Sequence, residues 1–460
     1  MSRTPTAPDA MHAAPGDRCG CGDLFADVPS GLSRRSFLAG VGAATALAGI
    51  GLPSLLPRYA FATPEDPSLG DVLVVVFLRG AADGLTMVPP YSDTAGYQTR
   101  RGRGTSNDVS VGPPDGTLNR ALELQATNGG HEFGLHPALA NGSLAGGLKG
   151  VWDAGDLAIV HAVGLPASES PSRSHFEAQD FWERGSADVD VPTGWLARHL
   201  AAVPDGGLPA VGWGATLQTS LRPDARAMAM SSISGFGVQG FRSNTAAQTA
   251  LAAMHPTGTG NPVLETGART LGAVARIQAE NPAQHNDNQG LYPQNSGLAT
   301  GLREIALLIK AGVGMRAACI DVGGWDHHDA MGTPTQGQMR TNLLDLGGCL
   351  GAFHQDLGSR MGEVTVVVMS EFGRTINVNG SGGTDHGRGS CCLVMSANAN
   401  KGVFGAYPTG PLSPGPENDL AVTTDIRTVL GEVLQERCGA SNLSTIFPTY
   451  TARPALGIVS

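Results

Sequence analysis

Clustered positive charge is missing from this sequence. Charged residues make up 15% of its 460 residues, the formal net charge is −10, and Lys and Arg form no long run. Proteins that bind nucleic acid neutralise phosphates with grouped Lys and Arg side chains. The composition therefore argues against a nucleic-acid partner. The length allows one large or two medium domains with a substantial core.

Cysteine is also scarce and follows no metal-binding pattern. Two of the seven cysteines lie near the N-terminus, and the others are Cys319, Cys349, Cys391, Cys392 and Cys438. Their spacing matches no zinc-binding arrangement, and several lie in apolar runs, where cysteine behaves as a small core residue. One disulfide is compatible with an oxidising compartment, but an odd number leaves at least one thiol unpaired.

The chain has no apolar run suited to a stable membrane span. Its apolar N-terminal stretch, 39–56, is only moderately hydrophobic and is broken by Pro53, with Pro57 following it. A twin-arginine motif at 33–38 precedes this stretch, and small residues at 60–62 suit a signal peptidase. We expect a signal peptide over residues 1–62, export by the twin-arginine translocase, and a periplasmic, cell-envelope or secreted location. The alternative is an uncleaved anchor, which this stretch would form poorly.

Short apolar runs, each ending in a polar or glycine-rich turn, indicate buried strands at 71–78, 156–163, 316–322 and 366–369. Helical patterns occur between them, including 342–361, which we expect to be interrupted at Gly347 and Gly348. This alternation predicts an α/β fold with a central, mostly parallel sheet between helices. Residues 63–460 would form one domain with irregular insertions at about 91–130 and 234–295.

Polar residues follow the strand at 366–369 directly. Glu371 and Arg374 come first, and a glycine-rich turn then brings Asp385 and His386. Ligands bind beyond the carboxyl ends of strands in open α/β sheets. A Glu, an Asp and a His beside an Arg suit a divalent metal and an oxyanion. The structural alternative is an ion pair between Glu371 and Arg374, with Asp385 holding a glycine turn.

A second loop of this kind follows the strand at 316–322. It contains Trp325, Asp326, His327, His328 and Asp329 in succession. Carboxylate and imidazole groups in one short loop supply the oxygen and nitrogen donors that a hard or borderline divalent ion uses. We expect metal binding or catalysis here.

Two further segments carry weaker candidates. Arg79 and Asp83 follow the strand at 71–78. Arg79 is a candidate anion contact and Asp83 a candidate metal ligand. The alternative is that this segment is only a turn at the end of the strand, with a solvated carboxylate. Ser172, Ser174 and His175 precede a helix at 177–184. Hydroxyls at this position normally cap the helix, but a nucleophile there also gains from the positive end of the helix. Ser174 is therefore a cap or a nucleophile, and His175 a ligand or a base.

These motifs together resemble a family of exported bacterial proteins known as domain-of-unknown-function family 1501. The resemblance covers nearly all of residues 63–460 and is carried by 79–84, 174–176, 324–328, 370–375 and 383–387. That family is similar to the alkaline phosphatase and sulfatase superfamily, whose members use one or two metals and a Ser, Thr or formylglycine nucleophile. The resemblance implies an alkaline-phosphatase-like fold.

The resemblance also implies roles for individual residues. Asp326, His328 and His386 correspond to a first metal site. Glu371 falls where a ligand of a second metal is expected, Asp83 lies near the first-strand ligand, and Ser174 or Ser172 would be the nucleophile.

The chain departs from the superfamily pattern in two places. Glu371 is followed by Phe372 where Asp followed by His is common, so a second metal site would lack an imidazole. Residues 170–173 are similar to part of a sulfatase signature, but Glu169 occupies the position of the modified Cys or Ser. This excludes a formylglycine sulfatase.

The resemblance therefore implies an exported, metal-dependent hydrolase or transferase acting on a phosphate or sulfate ester of a small anionic molecule or a glycan. The divalent ion, Zn, Mn or Ca, would be held by Asp326, His328 and His386 with Glu371 and either Asp385 or Asp83. Arg374 or Arg79 would neutralise the ester oxygens. The alternative is a non-catalytic exported protein of the same fold, with a structural metal or a ligand- or partner-binding role.

Overall fold

The structure is a computed structural model that describes residues 71–142, 146–169, 172–203, 208–224, 226–413 and 417–460. The predicted signal peptide, with its twin-arginine motif and cleavage site, lies outside the described residues. Within the described ranges, no helix is long and apolar enough to cross a membrane. The five cysteines after the predicted signal peptide are all buried and unpaired.

Most of the strands form one central sheet. Its members are β1 (Val72–Leu78), β4 (Leu157–Gly164), β5 (Ala210–Trp213), β6 (Ala227–Met230), β7 (Ala317–Val322), β8 (Val364–Met369), β9 (Ser390–Met395), β10 (Gly402–Phe404) and β11 (Thr424–Asp425). The strand order is β10–β4–β9–β8–β1–β7–β5–β6, and β11 pairs with β4. Strand β9 runs antiparallel to both neighbours, and the other pairs are parallel. The prediction of a mostly parallel α/β sheet is confirmed.

Helices cover both faces of this sheet. They are α1 (Gly84–Met87), α2 (Gly147–Ala154), α3 (His175–Arg184), α4 (Trp195–Leu200), α5 (Asn244–Met254), α6 (Pro262–Glu280), α7 (Gly297–Ala311), α8 (Gln338–Leu357), α9 (Ile426–Glu436) and α10 (Leu443–Ile446). Alternate residues of β1 point to opposite faces: Val74 and Val76 pack with α7 and α8, whereas Leu73 and Val75 pack with α4 and α9. Burial of each Val side chain contributes about 1.5–3 kcal/mol to stability. The apolar strand residues therefore stabilise the packing of the helices on both faces.

Helix α8 corrects one prediction. It runs without interruption through Gly347 and Gly348, which we expected to break it. A Cβ atom on Gly347 would lie 2.2 Å from the carbonyl oxygen of Leu139. Glycine is needed here for close backbone approach, which a sequence pattern cannot separate from a helix break.

The two predicted insertions contain more regular structure than expected. The first includes a π-helical turn (Thr94–Gln98) and the strand β2 (Leu122–Asn128), which pairs with β3 (His131–Leu135) in an antiparallel hairpin. The second contains helices α5 and α6. Side chains of β2 alternate between buried and exposed positions near its start, but a bulge between Glu123 and Ala126 interrupts the period.

Strands β8, β1 and β7 are parallel neighbours in the sheet. Their carboxyl ends therefore lie at one edge, and the loops that follow them meet there. These are the loops that carry most of the candidate residues.

Candidate metal centre

Four predicted site residues converge at this edge, and their side chains point at one another. The Oδ1 atom of Asp326 lies 3.0 Å from Nε2 of His328, 3.4 Å from Nε2 of His175 and 3.5 Å from Nε2 of His386. The Nε2 atoms of His328 and His386 are 2.9 Å apart. Three imidazoles from three separate segments thus face one carboxylate oxygen.

The other ring nitrogen of each histidine contacts a hydrogen-bond acceptor. The Nδ1 atoms of His175, His328 and His386 lie 2.8 Å from Glu371 Oε1, 3.0 Å from Asp385 Oδ1 and 2.8 Å from the carbonyl oxygen of Arg173, respectively. An acceptor at Nδ1 favours the tautomer with its hydrogen there, which leaves a lone pair on Nε2. Metal-binding histidines are held in this way by carboxylates and carbonyl groups.

The arrangement fits a bound divalent cation. In a tetrahedral site with metal–nitrogen bonds of about 2.0–2.1 Å, neighbouring ligand atoms are roughly 3.3 Å apart. The separations around Asp326 lie close to this value. Atom Nε2 of His175 is buried and has no hydrogen-bond partner, and His175, Asp326 and His386 each offer a donor atom within 4.8 Å of the others. A buried, unpaired nitrogen that faces a carboxylate and a second imidazole is suited to a metal.

Glu371 lies one layer outside this group. Its Oε1 atom accepts hydrogen bonds from Gln179 Nε2 at 2.8 Å and Gly80 N at 2.9 Å in addition to the His175 contact, and its Oε2 atom accepts from Ser370 Oγ at 2.9 Å. Burial would raise the pKa of Glu371, but the hydrogen bonds from His175 and Gln179 lower it. The structure therefore places this predicted ligand as an ionised support for His175.

Asp385 has a similar position relative to His328. Its Oδ1 atom also accepts a hydrogen bond from Asn379 Nδ2 at 3.1 Å. The hydrogen bond with His328 is the main cause that lowers the pKa of Asp385. Both outer carboxylates are therefore ionised at neutral pH.

Asp83 lies apart from the histidines. It is buried, and its two oxygen atoms lie 2.5 and 3.0 Å from the guanidinium of Arg101. It also accepts hydrogen bonds from Thr86 N at 3.1 Å and Thr384 Oγ1 at 3.2 Å. Both oxygen atoms of this buried carboxylate are therefore engaged by other partners, and this predicted ligand forms a closed ion pair apart from the histidines.

Comparison with known proteins agrees with one part of the resemblance. Residues 71–423 match the family described as "Protein of unknown function (DUF1501)". The chain belongs to this family. The match includes every site residue predicted above, so the family assignment and the candidate site concern the same part of the chain. No curated protein and no solved structure shows significant similarity.

In this DUF1501 chain, Arg374 connects the loops that carry the site. Its guanidinium is fully buried and donates to the carbonyl oxygens of Ala81 at 2.8 Å, Thr384 at 2.9 Å and Gly80 at 2.6 Å. It also contacts Asp326 Oδ1 at 2.5 Å. Burial would raise the pKa of Asp326, but Arg374 holds it at about 2. Arg374, which was predicted as an anion contact, thus holds these loops together within the chain.

The second predicted anion contact, Arg79, is also engaged within the chain. Its Nη2 atom lies 2.7 Å from Glu183 and 2.9 Å from Asp321, and its guanidinium lies over the ring of Phe77. Two carboxylates therefore balance its charge at the end of β1.

The two candidate nucleophiles differ in their surroundings. The Oγ atom of Ser172 accepts a hydrogen bond from Ser174 N at 3.0 Å. Ser174 precedes α3 at the cap position, but its side chain makes no capping hydrogen bond. Its neighbours on both sides contact the cluster, Arg173 through its carbonyl oxygen and His175 through its ring. Glu169, upstream, forms a bidentate ion pair with Arg427 at 2.7 Å.

Sequence reasoning missed Gln179 and the carbonyl oxygen of Arg173, among other supporting groups. Gln179 lies four positions after His175, one helical turn away, so a search for polar pairs at helical spacing could have found it. The carbonyl oxygen of Arg173 offers no side-chain signal, because any residue presents the same group.

Proposed function

We propose that this protein is an exported, divalent-metal-dependent hydrolase or transferase that acts on phosphate or sulfate esters, with an alkaline-phosphatase-like fold. One observation carries the proposal. Three Nε2 atoms face Asp326 Oδ1 while each Nδ1 atom is held by an acceptor. Such a set is costly to assemble without an ion, because the buried Nε2 atom of His175 has no hydrogen-bond partner.

The donor chemistry favours Zn or Mn over Ca. Calcium prefers six to eight oxygen ligands, whereas three imidazoles and one carboxylate suit a borderline transition metal. Charge balance supports a divalent ion. When the histidines are neutral, as metal ligands must be, Asp326, Glu371 and Asp385 carry three negative charges against one positive charge on Arg374, and a divalent cation would make the group neutral.

Individual residues of the chain would have separate roles in the reaction. A bound metal would act as a Lewis acid toward an ester oxygen. Asp326, His328, His386 and His175 would hold it, while Glu371 keeps the hydrogen of His175 on Nδ1. Ser174, at the positive end of α3 with no capping bond, is the better placed of the two candidate nucleophiles. Ser172 would shape the turn before it.

One observation favours a second function, a non-catalytic exported protein with a structural metal. The guanidinium groups of Arg374 and Arg79 are engaged by carbonyl and carboxylate oxygens within the chain. Neither is therefore available to neutralise an ester in this arrangement. Under this alternative the ion would stabilise the loops and turn over no substrate.

The first experiment is elemental analysis of residues 63–460, folded in the cytoplasm and purified without chelator. We expect about one equivalent of Zn or Mn, and its loss in the Asp326→Asn variant. Asp329→Asn is the matched control, because Asp329 is an exposed carboxylate of the same loop outside the cluster. A metal-free wild-type protein, or equal metal content in both variants, would refute the metal site.

Activity separates the two functions. Metal-loaded protein should hydrolyse phosphate or sulfate esters in a screen, and Ser174→Ala should reduce turnover while metal content stays unchanged. A fully loaded protein that turns over none of them favours the structural alternative.

Export is tested independently. Replacing Arg34 and Arg35 with lysine should retain the full-length chain in the cytoplasm, because the twin-arginine translocase requires the arginine pair. Unchanged processing and location of the double variant would contradict this route.

A further inference from the structure

Phe372 lies against two of the candidate ligands. Its ring centroid is 5.0 Å from that of His175, with the two ring planes 26° apart, and 5.1 Å from that of His386, at 51°. The two histidine rings also meet edge to face, with centroids 4.3 Å apart. Aromatic pairs attract one another at these distances and angles. One phenylalanine therefore contacts imidazoles from two separate segments of the chain.

The phenylalanine ring is itself held in a fixed place. Phe372 is only 5% exposed, and its side chain packs with Ala81, from the loop after β1, and with Ala178, from α3. The next residue, Gly373, exchanges two backbone hydrogen bonds of 2.8 Å with residues 387–388. These bonds tie the backbone beside Phe372 to the segment that carries the second histidine. The ring is thus a rigid surface at the base of the centre.

A rigid surface supplies what the hydrogen bonds at Nδ1 do not. The χ2 torsion of histidine is broad, so a single hydrogen bond leaves the ring plane loosely defined. Glu371 holds Nδ1 of His175, and the adjacent Phe372 stacks on the face of the same ring. Nε2 of His175 is thereby kept directed at Asp326 Oδ1, 3.4 Å away. A metal-bound imidazole also carries part of the positive charge of the ion, which the face of a phenylalanine attracts.

We propose that Phe372 is a positioning residue of the metal centre, whose ring fixes the planes of His175 and His386 so that both Nε2 atoms face the position of the ion. The metal in this inference rests on the proposed function, whereas the ordering of the two histidine rings does not. Phe372 has no atom that binds a metal, so a search for metal-binding side chains passes over it.

Metal affinity, measured by competition with a chromogenic chelator, gives the first test. Phe372→Leu keeps an apolar side chain but removes the ring, and should lower affinity about 10- to 100-fold, the usual effect of removing a residue that orients a ligand. Phe372→Tyr keeps the ring and should retain most of the affinity. The matched control is Phe133→Leu, since the buried ring of Phe133 lies 4.9 Å from that of His161, outside the centre. Equal loss of affinity in the two leucine variants would indicate general destabilisation and overturn the proposal.

Carbon-13 relaxation of the histidine Cε1 groups in metal-free protein gives the second test. Phe372→Leu should increase the mobility of the His175 and His386 rings and leave His161 unchanged. If this variant fails to fold, Phe372→Met replaces it, because methionine fills a similar space with a flexible chain.

The two measurements allow the two proposals to fail separately. Unchanged ring mobility together with unchanged affinity would overturn the role of Phe372, as would a change in only one of the two in a protein that binds metal. If the wild type binds no metal but Phe372→Leu still frees the two rings, the positioning role stands and the proposed metal-dependent function fails.

Discussion

The carboxyl ends of β1 and β7 look alike in sequence but differ in structure. Each strand is an apolar run that ends in a glycine-containing turn with an aspartate, Asp83 after β1 and Asp326 after β7. Asp83 is 1% exposed and closed by Arg101. Asp326 is 48% exposed and faces three imidazoles.

The difference shows that partners, and not the strand end, decide what a carboxylate does. The partner of Asp83 comes from the first insertion, from a segment with no periodic pattern. The partners of Asp326 come from α3, from its own loop and from the turn before β9. A strand end therefore determines only where a carboxylate lies. The segments that reach this position determine whether the carboxylate forms a structural ion pair or is open to a ligand.

The largest expected effect is on the stability of the closed pair. Asp83→Asn leaves the guanidinium of Arg101 buried without its countercharge, which should cost about 3–5 kcal/mol of unfolding free energy. In metal-free protein, Asp326→Asn should cost clearly less, because Asp326 is half exposed and Arg374 keeps its carbonyl partners. Urea unfolding monitored by circular dichroism measures both. Equal losses of unfolding free energy in the two variants would contradict the difference between the closed Asp83 pair and the half-exposed Asp326.

The next effect is on metal affinity and concerns the residue behind His175. Glu371→Gln should lower affinity about 10- to 100-fold, the usual effect of removing an outer carboxylate from a ligating histidine. The matched control is Glu183→Gln, a buried glutamate at the end of α3 that pairs with Arg79. Competition with a chromogenic chelator gives the affinities. If Glu371→Gln abolished binding as completely as Asp326→Asn, Glu371 would be reassigned as a direct ligand.

The smallest expected effect is on acid stability. Burial would raise the pKa of Asp83, but Arg101 holds it below its ordinary value of 3.8. Between the folded and unfolded pKa values the unfolded chain binds more protons, so unfolding free energy rises with pH in that window. This contribution is complete above about pH 4 and is lost as the pH falls further.

Asp83→Asn should therefore flatten the acid limb of the stability curve. Asp326→Asn should change that limb less, because solvent screens its half-exposed side chain. Unfolding free energies measured between about pH 5 and pH 3 provide the comparison. If unfolding free energy fell equally steeply with decreasing pH in Asp83→Asn and wild type, the assignment of this pH dependence to Asp83 would be wrong.

Much of the fold could be predicted, because buried parallel strands are continuous apolar runs. The runs at 71–78 and 316–322 correspond to β1 and β7 within one residue at each end. The uninterrupted course of α8 could not be predicted, since only the approach of Leu139 explains Gly347.

The site was predictable as a location and less so as an arrangement. Sequence places Asp326, His328 and His386 at strand ends that meet. The sequence cannot distinguish a candidate ligand from a residue that supports one. Glu371 and Asp326 are both carboxylates at the same edge, and only the orientation of the His175 ring, with Nδ1 toward Glu371 and Nε2 toward Asp326, distinguishes them. His175 was left open as a ligand or a base, and its unpaired Nε2 atom is a property of three-dimensional packing alone.

The long separations along the chain between the groups of the centre bear on how the protein folds. His386 and the carbonyl group of Arg173 that orients it are 213 positions apart, and His175 and Glu371 are 196 apart. Contacts of such high sequence separation close large loops, and the entropy cost of closing these loops slows folding. We therefore expect the candidate ligands to come together only after most of the sheet has formed. An ion bound by this set would therefore slow unfolding far more than it speeds folding.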